Sequence, residues 1–297
     1  QYALDTGVGW FNVENVTELK IINTLAGQRG RKARIALRLN PNVTANTHPY
    51  IATGHGGAKF GMTEEVITNI LARQTEYPHV DIQGVHIHIG SQLGDAEATL
   101  QALNKALSII QPYTNINTVN IGGGLPVAYH PDETVPDIAA FANAIAPSLT
   151  DYTVLLEPGR SIVADAGVLI TRVLYTKEQG GQQFVIIDAS MSDLIRPALY
   201  QAYHHIVPVH ASDEDITLKQ VVGPVCETAD IIGRDIALPN VQEGDLLAIL
   251  TAGAYGMVMA SNYNARPRPA EVVVQGGVWS IARHRETWED LVRLEVE

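Results

Sequence analysis

Gly84-Val85-His86-Ile87-His88-Ile89-Gly90-Ser91 is an apolar run that stops at a glycine, and Ala96 to Ile110 follows it with the spacing of an amphipathic helix. A strand that hands over to a helix is half of a βα unit, the building block of a parallel sheet. The same handover recurs on both sides. Strands are expected at Trp10–Val13, Arg34–Leu39, Gly84–Ile89, Thr118–Ile121 and Thr153–Leu156. Helices are expected near Val16–Ala26, Glu64–Gln74, Ala96–Ile110 and Pro136–Ala146, with Thr63 as the N-cap of the second. A complete (β/α)8 barrel takes about 250 residues. Residues 1–165 therefore read as about five of its eight units, and three more, at roughly 30 residues each, are expected ahead of Gln1.

After Asp165 the pattern changes. Short β-rich runs at Gly167–Thr176, Phe184–Asp188, Ile206–Val209, Leu218–Val222, Asp245–Leu250 and Glu271–Val274 are separated by Gly, Pro and Asn turns. Residues 166–297 are expected to form a C-terminal antiparallel β domain. The fold class is thus α/β plus all-β, a partial barrel followed by that domain.

Composition narrows the function. Over 297 residues, 20 Lys and Arg against 32 Asp and Glu leave a net charge of −12. With no basic run, neither nucleic acid nor an anionic membrane is an expected partner; a small solute or another protein is. No apolar stretch approaches the ~20 residues that cross a bilayer. A single cysteine, Cys226, rules out an intrachain disulfide framework and fits a reducing cytoplasm.

Barrel enzymes place their chemistry at the carboxyl ends of the strands, and polar or glycine-rich residues stand at those ends here. His86 and His88 are two apart on a strand and should share a face; a zinc half-site and a hydrogen-bonded core pair are both open readings. Gly122-Gly123-Gly124 directly follows a strand, where a backbone without Cβ atoms can present N–H groups to a phosphate. A tight turn is the alternative. Glu157-Pro158-Gly159-Arg160 puts a carboxylate at a strand end and a guanidinium three residues on, suited to a protonated ring nitrogen and to an oxyanion, or simply to each other. In the β domain, Arg196 and Tyr200 lie four apart, hence on one face of a helical turn. Cys226 sits beside Glu227, though a lone cysteine is more often buried filler. Tyr255 is flanked by small residues in Ala252-Gly253-Ala254-Tyr255-Gly256.

Taken together and in order, HIGSQ (88–92), GGG (122–124), EPGR (157–160), RPALY (196–200), GPVCET (223–228), AGAYG (252–256) and SNYNARPRPAEV (261–272) resemble the signature set of the fold type III pyridoxal phosphate-dependent decarboxylases, those acting on diaminopimelate in particular. Asn12-Val13-Glu14-Asn15, His48-Pro49-Tyr50 and Lys59-Phe60-Gly61 resemble earlier segments of the same family. The resemblance implies pyridoxal 5'-phosphate as cofactor and conversion of meso-2,6-diaminopimelate to L-lysine. It implies that His88 stacks on the cofactor ring, that Ser91, Gly122, Gly123, Gly124 and Tyr255 hold its phosphate, and that Glu157 pairs with the pyridine nitrogen. Gly159 belongs to the same cofactor loop, and Arg160 lies near both phosphate and substrate. Arg196 and Tyr200 would take the carboxylate that remains after reaction. Cys226 would donate a proton at Cα and Glu227 would read the far ammonium, both supplied across a homodimer interface. Thr228 stands where the family commonly has serine and keeps the hydroxyl for substrate contact; Tyr255 also faces substrate.

The Schiff-base lysine of the family sits in a Tyr-Ala-x-Lys-Ala context, and none of Lys20, Lys32, Lys59, Lys105, Lys177 and Lys219 matches it. The chain by itself is therefore expected to be inactive. Three other readings remain: a decarboxylase-like binding protein without catalysis, a decarboxylase for ornithine, arginine or carboxynorspermidine, and a barrel metallohydrolase built on His86 and His88.

Overall fold

Five strands, β1 (Phe11–Val13), β2 (Ala33–Leu39), β3 (Val80–Ile87), β4 (Thr118–Asn120) and β5 (Thr153–Leu155), pair in chain order in the computed structural model, and every pair is parallel. The structure describes residues 1–43, 53–54, 56–211 and 215–296; the segment His48-Pro49-Tyr50 lies outside them. A short helix, α1 (Tyr2–Asp5), precedes β1, and α2 (Val16–Gln28), α3 (Glu64–Ala72), α4 (Glu97–Ile110) and α5 (Ile138–Ile145) link successive strands. Adjacent strands joined by helical crossovers are the order of a barrel-type sheet.

The helices begin where their caps stand. Asn15, Thr63 and Asp137 each accept a backbone N–H of the first turn, from Glu18, Val66 and Ala139. The core lies between these helices and the sheet: Val13, Leu19, Ile35, Ile67, Leu103 and Val119 are wholly buried. β3 begins at Val80, four residues before the expected start, because Val80 and Ile82 already pair with Ala33 and Ile35. A register shift after Ile82 follows, and the strand ends at Ile87, which leaves His88 just past it. At the sheet edge, β5 leaves Val154 and the adjoining Leu156 exposed.

The chain divides into two compact units, Gln1–Val127 with Thr134–Ser161, and Ala128–Glu133 with Ile162–Glu297. After α6 (Arg160–Val163), the second unit builds a six-stranded sheet from β6 (Leu169–Gln179), β7 (Gln182–Ile187), β8 (Ile206–Pro208), β9 (Thr217–Val222), β10 (Ile231–Leu238) and β11 (Leu246–Ile249). Its order is β10-β9-β7-β6-β11-β8. A separate hairpin joins β12 (Glu271–Gln275) to β13 (Val278–Arg283), and α7 (Arg196–Tyr200) and α8 (Trp288–Val292) complete the unit. Two features differ from the sequence expectation. β7 and β9 run parallel within an otherwise antiparallel set, since α7 and β8 intervene and return the chain in the same direction. β10 and β13 are additional strands, the first broken by two register shifts around Gly233 and the second exposed along its length. Its own core centres on Val173, Ile187, Leu194, Val221 and Leu247.

Candidate active site

Because the five strands run the same way, their carboxyl ends share one rim. Asn12 lies within β1, Arg38 near the end of β2, Asn120 at the end of β4 and Glu157 two residues past β5. Glu157 is where Asn12 and Asn120 converge. Its Oε1 accepts from Asn12 Nδ2 and from Asn120 Nδ2, each at 2.7 Å. Both amides are oriented from behind: Trp10 Nε1 donates to Asn12 Oδ1 at 3.2 Å, and the Gly122 N–H donates to Asn120 Oδ1 at 2.9 Å. Oε2 faces His86 Nε2 at 3.6 Å, too long for a formed hydrogen bond. His86 contributes most to holding the carboxyl at about 2; burial opposes it, and the Asn120 and Asn12 amides add to the depression. Glu157 is thus ionised at any physiological pH.

His88 meets the glycine run. Its Nδ1 accepts the Gly123 N–H at 3.1 Å, and its carbonyl accepts the Thr53 hydroxyl at 2.7 Å. Burial pushes the imidazole down to about 4, with Arg38 and then His86 adding to the shift and Glu157 opposing it. The ring is therefore neutral, and with Nδ1 accepting, the proton resides on Nε2. Gly122 adopts φ +69°, and a Cβ there would lie 2.7 Å from both His88 Nδ1 and the Ile87 carbonyl. Here the glycine is needed so that the loop can lie against the strand end. This changes the expectation that successive N–H groups all face an anion, since those of Gly122 and Gly123 already have internal acceptors. Ser91 is half-buried, Gly159 exposed, and Arg160 buried at the start of α6.

The resembling segments 12–15 and 59–61 also come together. Glu14 pairs with Arg38 and accepts the Gly61 N–H at 2.6 Å, and the Arg38 guanidinium stacks 4.9 Å from the Phe60 ring centroid. The sequence reading assigned no role to Asn12, Arg38 or Asn120. Their position at strand ends was the available signal. His86 is buried, and among the described residues neither ring nitrogen has a hydrogen-bond partner. Among the described residues no group of three or more His, Cys, Asp or Glu could hold a metal ion.

In the second unit, Arg196 is buried at the first position of α7 and Tyr200 is half-buried at its last. Cys226, Glu227 and Thr228 are exposed on the loop between β9 and β10, so the thiol is not core filler. That loop is pinned by Asp230, whose carboxylate accepts the N–H groups of Met191 at 2.6 Å and Val225 at 2.8 Å. The Tyr263 hydroxyl approaches Glu227 at 3.4 Å. Tyr255 takes the left-handed conformation, φ +61°, which a bulky residue adopts only when its surroundings enforce it. Two residues earlier, the backbone of Gly253 packs so closely that a Cβ would lie 1.9 Å from the Val163 carbonyl.

Residues 1–164 match the family model described as pyridoxal-dependent decarboxylase, pyridoxal binding domain. The diaminopimelate decarboxylase of Aquifex aeolicus is 42% identical, over 98% of this chain and 70% of its own length, and that of Pseudomonas aeruginosa is 46% identical over 97% and 71%. The chain belongs to the diaminopimelate decarboxylase family. A crystal structure of a diaminopimelate decarboxylase, that of Helicobacter pylori complexed with L-lysine, superposes with a TM-score of 0.93 at 41% identity, covering 99% of this chain and 74% of that one. The lysine/ornithine decarboxylase of Vibrio vulnificus complexed with putrescine is more distant, at 0.75 and 25%, over 90% and 69%. A diaminopimelate decarboxylase is a pyridoxal phosphate-dependent lyase, and the rim fits the pyridine end of that cofactor: Glu157 presents a carboxylate whose pKa is held low, and the buried nitrogens of His86 beside it have no hydrogen-bond partner among the described residues.

Proposed function

We propose that the holoenzyme built from this chain decarboxylates meso-2,6-diaminopimelate to L-lysine. The observation that carries the reading is Glu157, held ionised by His86, Asn120 and Asn12 at the one rim where five strand ends meet. Bound pyridoxal phosphate supplies a protonated ring that accepts the electron pair left when the carboxylate departs as carbon dioxide. Glu157 keeps the proton on the ring nitrogen, and the asparagines keep Glu157 from rotating away. His88, a neutral imidazole with a fixed tautomer, would hold the ring face and add no competing charge. Ser91, Gly124, Gly159 and Tyr255 would hold the phosphate, Gly122 and Gly123 shaping the loop beside it because their own N–H groups are engaged internally, and Arg160 would serve phosphate and substrate.

In the same reading Arg196 and Tyr200 take the retained carboxylate, Glu227 takes the far ammonium with Thr228 beside it, and Cys226 delivers a proton from Sγ to Cα. Exposure of Cys226 and Glu227 suits residues offered to the site of a second subunit, so the working form is a homodimer. A carboxylate and an ammonium at the far end distinguish diaminopimelate from ornithine, which lacks that carboxylate. The higher similarity to diaminopimelate decarboxylases than to the lysine/ornithine enzyme points the same way.

Glu157→Gln in the holoenzyme is expected to lower kcat by about 100-fold or more while the cofactor stays bound, as read by decarboxylation and by cofactor absorbance. Near-normal turnover would refute the role. We also infer that residues 1–297 alone do not turn over. Lys59 lies over the Phe60 ring, Lys105 donates to the Pro41 carbonyl and Lys219 donates to Gln183, so these lysines serve local contacts. Release of carbon dioxide from diaminopimelate by the isolated chain with added pyridoxal phosphate would overturn that inference.

A further inference from the structure

Arg196 is a charged side chain only 6% exposed, so its burial has to be compensated by specific partners. Two of them have no role in the reading above. Arg196 Nη1 donates to His204 Nε2 at 2.7 Å, and its guanidinium carbon lies 4.3 Å from the centroid of the Tyr129 ring, a cation over an aromatic face. His204 is 1% exposed and meets the same Tyr129 ring edge-on, with centroids 5.2 Å apart. Its Nδ1 lies 2.9 Å from the Leu250 carbonyl oxygen. A carbonyl only accepts and a guanidinium only donates, so Nδ1 must carry the proton and Nε2 the lone pair. His204 is held as a single neutral tautomer with its acceptor aimed at Arg196. Tyr129 comes from the short excursion Ala128–Glu133, which belongs to the second unit although its neighbours in sequence belong to the first.

We propose that Tyr129 and His204 are positioning residues that orient Arg196 for the substrate carboxylate. The ring face sets the plane of the guanidinium, and the His204 lone pair sets its rotation within that plane. A flexible arginine would lose side-chain freedom on binding a carboxylate; a bracketed one has lost it already, so the carboxylate meets a prepared donor. The inference rests on the reading of Arg196 as the carboxylate-binding group and extends that reading to the two side chains behind it.

The test is calorimetric titration of the holoenzyme with two probes: L-lysine, which keeps a carboxylate, and cadaverine, the same diamine without one. Arg196→Ala sets the reference for losing the carboxylate contact. His204→Phe is expected to weaken L-lysine by about 10-fold, the scale of a hydrogen bond to a charged group, and to leave cadaverine unchanged. His204→Gln, whose amide oxygen can accept from Arg196, should recover most of the loss. Tyr129→Phe keeps the ring face and should bind as the wild type does, whereas Tyr129→Leu should weaken L-lysine by about 3-fold. If Arg196→Ala lowers the lysine-to-cadaverine ratio and His204→Phe does not, positioning is overturned and the reading of Arg196 stands. An unchanged ratio in Arg196→Ala removes that reading first. Equal weakening of both probes by His204→Phe reports general damage and also overturns the proposal. Should His204→Phe fail to fold, the Tyr129→Leu ratio decides, a selective loss supporting the bracket and an unchanged ratio refuting it.

Discussion

In the parallel-sheet unit Glu157 is fixed by side chains; in the β unit Arg196 is too, but the Cys226–Glu227 loop is held through its backbone. Glu157 is gripped by two amides that are themselves gripped, and His88 is locked by an N–H. Cys226 and Glu227 sit on an exposed loop whose shape is set by Asp230 accepting two main-chain N–H groups, and two residues before the left-handed Tyr255 the backbone of Gly253 packs closely on that of Val163. The difference follows from the folds. Converging strand ends bring side chains from separate strands within hydrogen-bond reach, whereas an antiparallel sheet presents its loops one at a time.

That contrast gives the largest expected effect in the β unit. Gly253→Ala would place a methyl 1.9 Å from the Val163 carbonyl, and backbone cannot yield as a flexible side chain does. The substitution is expected to destabilise the protein by about 3 kcal/mol, read as a shift in urea midpoint. Wild-type stability would mean that this backbone packing can relax without cost.

The same contrast governs what the sequence could disclose. The five parallel strands and their helices were legible because each has a single apolar period and most start at a capping residue such as Thr63 or Asp137. In the β unit, Ile231–Leu238 escaped notice because Gly233-Arg234-Asp235 interrupts its pattern, with Asp235 at φ +50°. The parallel pairing of β7 with β9 depends on a long-range return of the chain that no local pattern encodes. At the site, the strand-end position and the family resemblance both pointed to Glu157, His88 and the glycine run. What the glycines do was less visible: Gly122 is dictated by contact with His88 and Ile87, and only the folded loop shows that two of its N–H groups are already engaged. Tyr129 and His204 carried no signal, since an aromatic and a histidine amid apolar residues look like ordinary core.

Acid titration sharpens the comparison with a smaller effect, because titratable groups beside the two sites, His88 and Glu157 in one and Asp193 and Asp230 in the other, respond with opposite sign. His88 has a folded pKa near 4 against 6.5 for the ordinary imidazole. Below pH 6.5 the unfolded chain binds a proton that the folded rim refuses, so stability falls as pH drops from 6.5 toward 4, at a slope approaching about 1.4 kcal/mol per pH unit. Glu157, lowered from 4.5 to about 2, extends the loss below pH 4.5, more weakly because its side chain is 43% exposed and screened by water. Asp193 and Asp230 behave in reverse. Burial raises both above the ordinary carboxyl value, so the folded state takes up their protons first and gains stability as pH falls toward the unfolded value. Replacing His88 by Phe should therefore flatten the decline between pH 6.5 and 4 in urea-unfolding free energies, and replacing Asp230 by Asn should steepen the decline near pH 4. Parallel pH profiles for wild type and His88→Phe would show that the rim histidine is solvated and free to charge, and the neutral, tautomer-locked imidazole assigned to the cofactor face would have to be given up.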